Sequence, residues 1–308
     1  MPFDKMNKYT IEVERLMKNY GKVRALRGIS FKVERGEIFG FLGPNGAGKT
    51  TAIRCMLDLI RPTAGRITIL GHDAQRGSMA IRRRIGYLPD DIRLMESITA
   101  RQLLDRYSRI QGLEPVRLRE LIQRFDVEVD RPLKGYSRGM RQKVGIVQAF
   151  MCNPELLILD EPNVGLDPLI QREVNAFLLE EAARGKTIFM SSHILSDVEK
   201  TCHRVGVIRE GRMVAVEEVE TLREKAGQVV TVEFDQPVDQ TELQNIPGVS
   251  EINWHGDGRH YILKVTGRMD PLVKALSRHQ VLRLSVEEAP LEDIFLKFYE
   301  SPGTKRQK

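Results

Sequence analysis

The sequence predicts an α/β core domain followed by a smaller α+β domain. Three observations predict it: the unbroken apolar run Ile38-Phe39-Gly40-Phe41-Leu42, the glycine-rich segment Gly43 to Thr50 directly after it, and an alternation of strand and helix patterns that changes order after residue 220. A continuous apolar run marks a strand covered on both faces. A strand, a tight turn and a helix in succession belong to an alternating α/β architecture.

With 308 residues, 41% of them hydrophobic, the chain can bury one large core and one small one. Cys55, Cys152 and Cys202 form no C-x-x-C pair, so neither a disulfide framework nor a zinc site is expected and a reducing cytosol fits best. Met1 to Tyr9 has no apolar signal-like stretch, and no run approaches the roughly 18 apolar residues that cross a bilayer. Work at a membrane would therefore need a separate anchor. The formal net charge is +6, with arginines crowded between Arg82 and Arg124. Acidic residues intervene and only Tyr87 and Tyr107 fall among the arginines, too few for a base-stacking surface, so these read as solvated helix faces and no nucleic acid partner is expected.

Upstream of the central strand, Ile11 and Val13, then Phe31 and Val33, alternate with polar residues and are broken at Tyr20-Gly21 and Arg35-Gly36, the pattern of antiparallel strands. After the glycine-rich turn, Ile53, Met56, Leu57 and Ile60 recur at helical spacing until Pro62. From about 92 to 151 the pattern is mainly helical, with Leu103, Tyr107 and Ile110 on one stripe and Leu118, Leu121, Ile122 and Phe125 on another, which reads as a helical subdomain. Apolar strands return at Leu156–Leu159 and Thr187–Met190, a hairpin follows at Glu210-Gly211, and the core domain is placed at 1–220. Residues 221–300 then read strand (Val229–Phe234), helix (Thr241–Ile246), strand (Val249–Trp254), turn, strand (Tyr261–Val265), helix (Pro271–His279) and strand (Val281–Val286). That β-α-β-β-α-β order suggests a ferredoxin-like module. A last helix would carry Leu291, Ile294, Phe295 and Phe298 on one face, and the basic tail 301–308 is expected to be disordered.

Gly43-Pro44-Asn45-Gly46-Ala47-Gly48-Lys49-Thr50 satisfies G-x-x-x-x-G-K-[ST] between a buried strand and a helix, the context that a phosphate loop requires. The small residues let backbone N–H groups turn around a phosphate at the positive end of the helix. Lys49 is then placed to reach the β- and γ-phosphates, Thr50 to offer its hydroxyl to Mg²⁺, and Thr51 to cap the α-phosphate. Further on, Leu156-Leu157-Ile158-Leu159-Asp160-Glu161 ends an apolar strand in two acids. Consecutive strand residues point to opposite faces, so Asp160 can hold a metal while Glu161 polarises an attacking water.

Between and after these motifs the chain resembles the ATP-binding subunits of ABC transporters. Tyr136-Ser137-Arg138-Gly139-Met140-Arg141-Gln142-Lys143 stands where that family carries its signature motif, opening a helix with the stripe Met140, Val144, Val147 and Met151 and with Ser137 able to cap it. The resemblance implies that Ser137 and Gly139 face the γ-phosphate held by a second subunit. Gly165-Leu166-Asp167-Pro168 resembles the loop that crosses the dimer interface, and Ser191-Ser192-His193 resembles the switch histidine that contacts the γ-phosphate. Tyr20 stands where the family places an aromatic ring on adenine. The resemblance covers roughly Thr10 to Glu220. Two segments depart from the usual pattern. Asp90 replaces a glutamine common in relatives, a change that keeps a metal-ligating oxygen. The signature reads Tyr-Ser-Arg-Gly-Met in place of Leu-Ser-Gly-Gly-Gln. This variant, with a single cassette and the terminal Leu291-Glu292-Asp293-Ile294-Phe295, resembles the drug and antibiotic exporter class.

The resemblance implies a P-loop NTPase of the ABC ATPase type that hydrolyses ATP with Mg²⁺. It also implies a dimer, either of two copies or with a different ATPase, with the homodimer expected because one chain contains every required element, together with a separate transmembrane permease subunit and a peripheral place on the cytoplasmic face of the membrane. The C-terminal domain carries no recognisable catalytic cluster, so a regulatory or dimer-stabilising role is expected for it. The alternative is a soluble ABC-type ATPase of DNA repair or translation. The former carries a long coiled-coil insertion and the latter usually two cassettes, and the sequence has neither.

Overall fold

The computed structural model describes residues 8–92, 96–292 and 294–295. The chain divides into two compact units, Met1–Val216 and Glu217–Lys308.

In the first unit, β1 (Tyr9–Tyr20) and β2 (Val23–Glu34) pair antiparallel, and β1 also pairs antiparallel with β4 (Ala64–Ile69), which pairs with β5 (His72–Asp73). Ile11 and Val13, and Ile29, Phe31 and Val33, are buried at alternating positions, as the period of two requires, and Leu16 is buried beyond a register shift in β1. Against this layer stands a second sheet of order β10-β9-β3-β8-β7-β6, built from β3 (Ile38–Leu42), β6 (Ile85–Leu88), β7 (Leu156–Asp160), β8 (Thr187–Ser192), β9 (Arg204–Arg209) and β10 (Arg212–Glu218). The pairs β3–β8, β3–β9, β7–β8 and β6–β7 are parallel. Every residue of β3, β7 and β8 is buried, the state that a continuous apolar run predicts. Phe31, Phe39, Phe41 and Phe189 join the two layers with ring centroids 5.4–5.9 Å apart.

Helices α1 (Lys49–Met56), α2 (Ser78–Arg82), α6 (Pro168–Ala183) and α7 (Leu195–Thr201) connect these strands, and α3 (Ala100–Gln111), α4 (Leu118–Arg124) and α5 (Arg138–Phe150) form the helical region. Helix α1 ends earlier than its apolar spacing suggests, because Asp58 adopts a left-handed φ of 52° and the Leu59 N–H turns back to the Arg54 carbonyl. Ile60 still packs against the core from the turn beyond. In α3 the predicted stripe is corrected at Ile110, which is exposed: Leu103 and Tyr107 are half-buried, and Ala100, Leu104 and Ser108 are the buried residues. Ala100 and Ser108 are small enough to let the helix approach its neighbours closely, and a capping box of Thr99 and Gln102 fixes where it starts. In α4 the expectation holds at Leu121 and Phe125, both fully buried.

The second unit contains α8 (Val219–Ala226), β11 (Gln228–Phe234), α9 (Gln240–Gln244), β12 (Val249–His255), β13 (His260–Val265), α10 (Asp270–Leu276) and β14 (Val281–Glu288). Its sheet has the order β12-β13-β11-β14 with antiparallel pairs throughout. Val230, Val232, Phe234, Tyr261, Leu263 and Val265 pack with Leu243, Leu272 and Leu276 of the helices in a separate core. Leu291 and Phe295 are buried, whereas Phe298 and the basic tail lie outside the described residues.

Candidate functional site

The C-terminal end of β3 runs into the loop 43–48 and then α1. Gly48 caps the helix with φ 110°, a conformation in which a Cβ would also stand 2.8 Å from the Ala25 carbonyl. At Gly43 a Cβ would meet the Ile208 carbonyl at 2.3 Å. The loop therefore holds its shape only with glycine at these points, and it leaves Pro44, Asn45 and Gly46 exposed at the mouth of the helix. The first N–H groups of a helix have no carbonyl partner in the helix itself, so the start of α1 offers donors to an anion.

Lys49 lies buried at the base of this loop. Its ammonium donates to the Gly43 carbonyl at 2.6 Å and stands 3.2 Å from Glu161 Oε1. The second carboxylate oxygen of Glu161 is 2.8 Å from His193 Nδ1. Three residues from the ends of β3, β7 and β8, all expected from sequence, thus meet at one carboxylate. Glu161 has a φ of 54°, a left-handed conformation that costs a non-glycine residue energy and is found at functional positions.

Asp160, the residue before it, is fully buried. Its Oδ1 accepts from the Ser191 hydroxyl at 2.5 Å, and the same hydroxyl accepts from the Glu161 N–H at 3.1 Å. Burial pushes the Asp160 pKa up, and the hydroxyls of Ser191 and Thr50 partly offset this. Oδ2 is buried without completing a hydrogen bond. A buried carboxylate with one oxygen unpartnered, next to Thr50, is a donor set that fits a hard divalent cation. Among the described residues no group of three or more His, Cys, Asp or Glu side chains could hold a metal alone.

The signature segment forms a second group. Ser137 caps α5 by accepting from the Met140 N–H at 3.2 Å, and a Cβ on Gly139 would meet the Gly165 carbonyl at 2.8 Å. Asp167 caps α6, its Oδ1 accepting from the Leu169 and Ile170 N–H groups at 3.0 Å, with Pro168 following in the first turn. Ser137 and Asp167 thus start α5 and α6, and Gly139 lies close against the Gly165 turn. Asp90, half exposed beyond β6, lies 3.8 Å from Arg138. Asp90 therefore pairs with one of the substituted residues of the signature segment. Tyr20 ends β1 exposed, with the Lys18 ammonium 5.0 Å from its ring.

Two residues of the site were not assigned roles from sequence. Gln142, buried in α5, donates to the Pro162 carbonyl at 2.9 Å and the Glu161 carbonyl at 3.3 Å, which ties the signature helix to the chain leaving β7. Ser191 bridges Asp160 and the Glu161 backbone. Both lie within segments singled out by sequence, but only packing shows what their side chains reach.

Comparison with known proteins agrees with this geometry. The family described as "ABC transporter" matches residues 26–164. The chain is 34% identical over 301 residues to the daunorubicin resistance ATP-binding protein DrrA3 of Streptomyces coeruleorubidus, covering 93% of this chain and 94% of that one. It is 33% identical over 294 residues to the bacitracin transport ATP-binding protein BcrA of Bacillus licheniformis, covering 93% and 96%. Among solved structures, an ATP-binding subunit of an ABC transporter superposes with a TM-score of 0.66 at 34% identity, over 70% of this chain and 92% of that one.

Proposed function

The chain belongs to the ATP-binding proteins of ABC transporters and hydrolyses ATP to power transport, and on that premise we propose that two copies close head to tail over two Mg-ATP molecules. The observation that carries the reading is Glu161 held between Lys49 and His193. When nucleotide binds, Lys49 exchanges the carboxylate for the β- and γ-phosphates, and the loop 43–48 with the start of α1 supplies backbone donors. Glu161, freed on one side and still oriented by His193, accepts the proton of the attacking water. Ser137 and Gly139 of the opposite copy close on the γ-phosphate, Asp167 lines the contact between copies, Tyr20 stacks on adenine, and Thr51 caps the α-phosphate. Thr50 and Asp160 would hold Mg²⁺, with Asp90 at its outer side. Bound there, the ion neutralises the charge that develops on the phosphate oxygens.

The partner is a separate transmembrane subunit, and the daunorubicin resistance and bacitracin transport relatives favour export of a drug- or antibiotic-like molecule. Among the described residues no helix is long and apolar enough to cross a membrane. As the ATP-hydrolysing partner of a transmembrane subunit, the chain would sit peripherally on the cytoplasmic face. We place the nucleotide-binding domain at 1–220, its helical subdomain at about 92–151, and a regulatory or dimerisation domain at 221–300. The order β12-β13-β11-β14, with helices between β11 and β12 and between β13 and β14, supports a ferredoxin-like reading of that domain.

The test is Glu161→Gln. It should bind ATP, accumulate as an ATP-dependent dimer in light scattering, and hydrolyse on the order of a hundredfold more slowly or worse. Near-normal turnover would remove Glu161 from the proposed role.

A further inference from the structure

Strand β14 alternates Leu282, Leu284 and Val286 with Arg283, Ser285 and Glu287. Its antiparallel register with β11 sets Leu284 opposite Val232 and Val286 opposite Val230, so the apolar set lies on the face that carries the core of the second unit. Val230 and Val232 are completely covered there. Leu282, Leu284 and Val286 remain 55%, 51% and 47% exposed. Among the described residues β14 is also a sheet edge, paired with β11 alone. Edge strands are normally protected by a proline, a short length or an inward-pointing charge. Over eight residues β14 has no proline, and the one charge on its apolar face, Glu288, stands at the last residue of the strand.

We propose that this edge is the docking surface for β14 of a second copy of the same chain, joining two four-stranded sheets across a local twofold axis. The proposal deepens the homodimer reading above and rests on it. Residues 283–287 of the strand are self-complementary in one register. With Ser285 on the axis, Arg283 lies opposite Glu287 of the second copy and Leu284 opposite Val286, so over these residues opposite charges pair on one face and apolar side chains on the other, while the outermost pair sets Leu282 beside Glu288 at the rim. Moving the axis to Leu284 sets Arg283 against Ser285, and moving it to Val286 sets Glu287 against Ser285, which loses the charge pair in both cases. An axis between residues puts apolar side chains against charged ones. Parallel pairing in register would stack Arg283 on Arg283 and Glu287 on Glu287, which is repulsive.

The register makes Ser285 its own neighbour, at a Cα separation of about 4.5–5.5 Å that a disulfide can bridge. The experiment uses the full chain without nucleotide. Ser285→Cys should form a covalent dimer under mild oxidation well above the background of the native cysteines. Thr231→Cys, exposed on the central β11, should not, and adding Leu284→Lys to Ser285→Cys should abolish the cross-link. Absence of a cross-link at 285, or its survival with Leu284→Lys, would overturn the strand interface. ATP turnover measured on the same samples separates the two readings. Turnover without a cross-link sinks only the β14 interface, whereas no turnover by the native chain sinks the nucleotide-site reading on which it rests.

Discussion

The carboxylate of Glu161 lies 2.8 Å from Nδ1 of His193, two residues brought together by the adjacent ends of the parallel strands β7 and β8. The imidazole fixes the carboxylate from the side opposite Lys49, so it acts by aiming the base. His193→Ala should lower kcat by about a hundredfold while changing KM much less, as loss of alignment at a reacting centre does. Steady-state kinetics check this. A rise in KM with kcat unchanged would instead make His193 a ground-state binding residue.

Gly43 and Gly46 separate steric from conformational demands on the phosphate loop. A methyl at Gly43 meets backbone 2.3 Å away, whereas at Gly46, with φ 80°, it meets nothing within 4 Å. Gly43→Ala should destabilise the chain by about 1–3 kcal/mol through overpacking. Gly46→Ala should cost about 1 kcal/mol from its backbone conformation alone. Chemical denaturation of both variants tests the ordering.

Gln142 is the one side chain through which α5 donates to the carbonyls of Glu161 and Pro162 among the hydrogen bonds described above. Gln142→Ala leaves buried carbonyl oxygens without that donor, at about 1–3 kcal/mol. Because Glu161 moves with its own backbone, kcat should fall as well. Unfolding and ATPase assays on the same preparation detect the two losses.

Asp160 predicts a pH dependence. Burial raises its pKa in the folded chain above the ordinary value of 3.8, so folding favours the neutral form. Its stabilising contribution is complete below about 4 and is lost as pH rises through the raised value. In nucleotide-free chains, the stability of the native protein relative to Asp160→Asn should therefore increase as pH falls from neutrality towards 4. Parallel denaturation curves across that range measure the difference, and a decrease would reverse the sign assigned to burial.

Asp90 and Arg138, at 3.8 Å and both well exposed, form a pair screened by solvent. A double-mutant cycle with Asp90→Asn and Arg138→Gln should give a coupling of only about 0.2–1 kcal/mol. That coupling should vanish in roughly 1 M salt. A coupling of several kcal/mol would mean that the two departures form a structural lock.

Much of the site was legible in the sequence because its chemistry sits at the ends of unbroken apolar strands. Ile38–Leu42 leads to Lys49, Leu156–Leu159 to Asp160 and Glu161, and Thr187–Met190 to His193. The order of elements in the second unit was legible for the same reason, since alternating patterns and the turn near Gly256 mark each strand. Less legible was anything fixed by how elements face one another. Ile110 sits at helical spacing with Leu103 and Tyr107 yet is exposed, because the small Ala100 and Ser108 set the rotation of α3. The end of α1 depended on Asp58 turning left-handed, and the roles of Gln142 and Ser191 on contacts between segments far apart in the chain. The pairing of Asp90 with Arg138 likewise joins two positions that sequence shows only as separate departures.

The central claim is that this ATPase drives a separate transmembrane subunit. Its most direct test is to purify the tagged chain from its native cells in mild detergent with ATP present and identify what co-purifies in stoichiometric amount. The account predicts a multi-span membrane protein. Ribosomes, DNA or the absence of any membrane protein would contradict it and move the chain to the soluble ATPases of repair or translation.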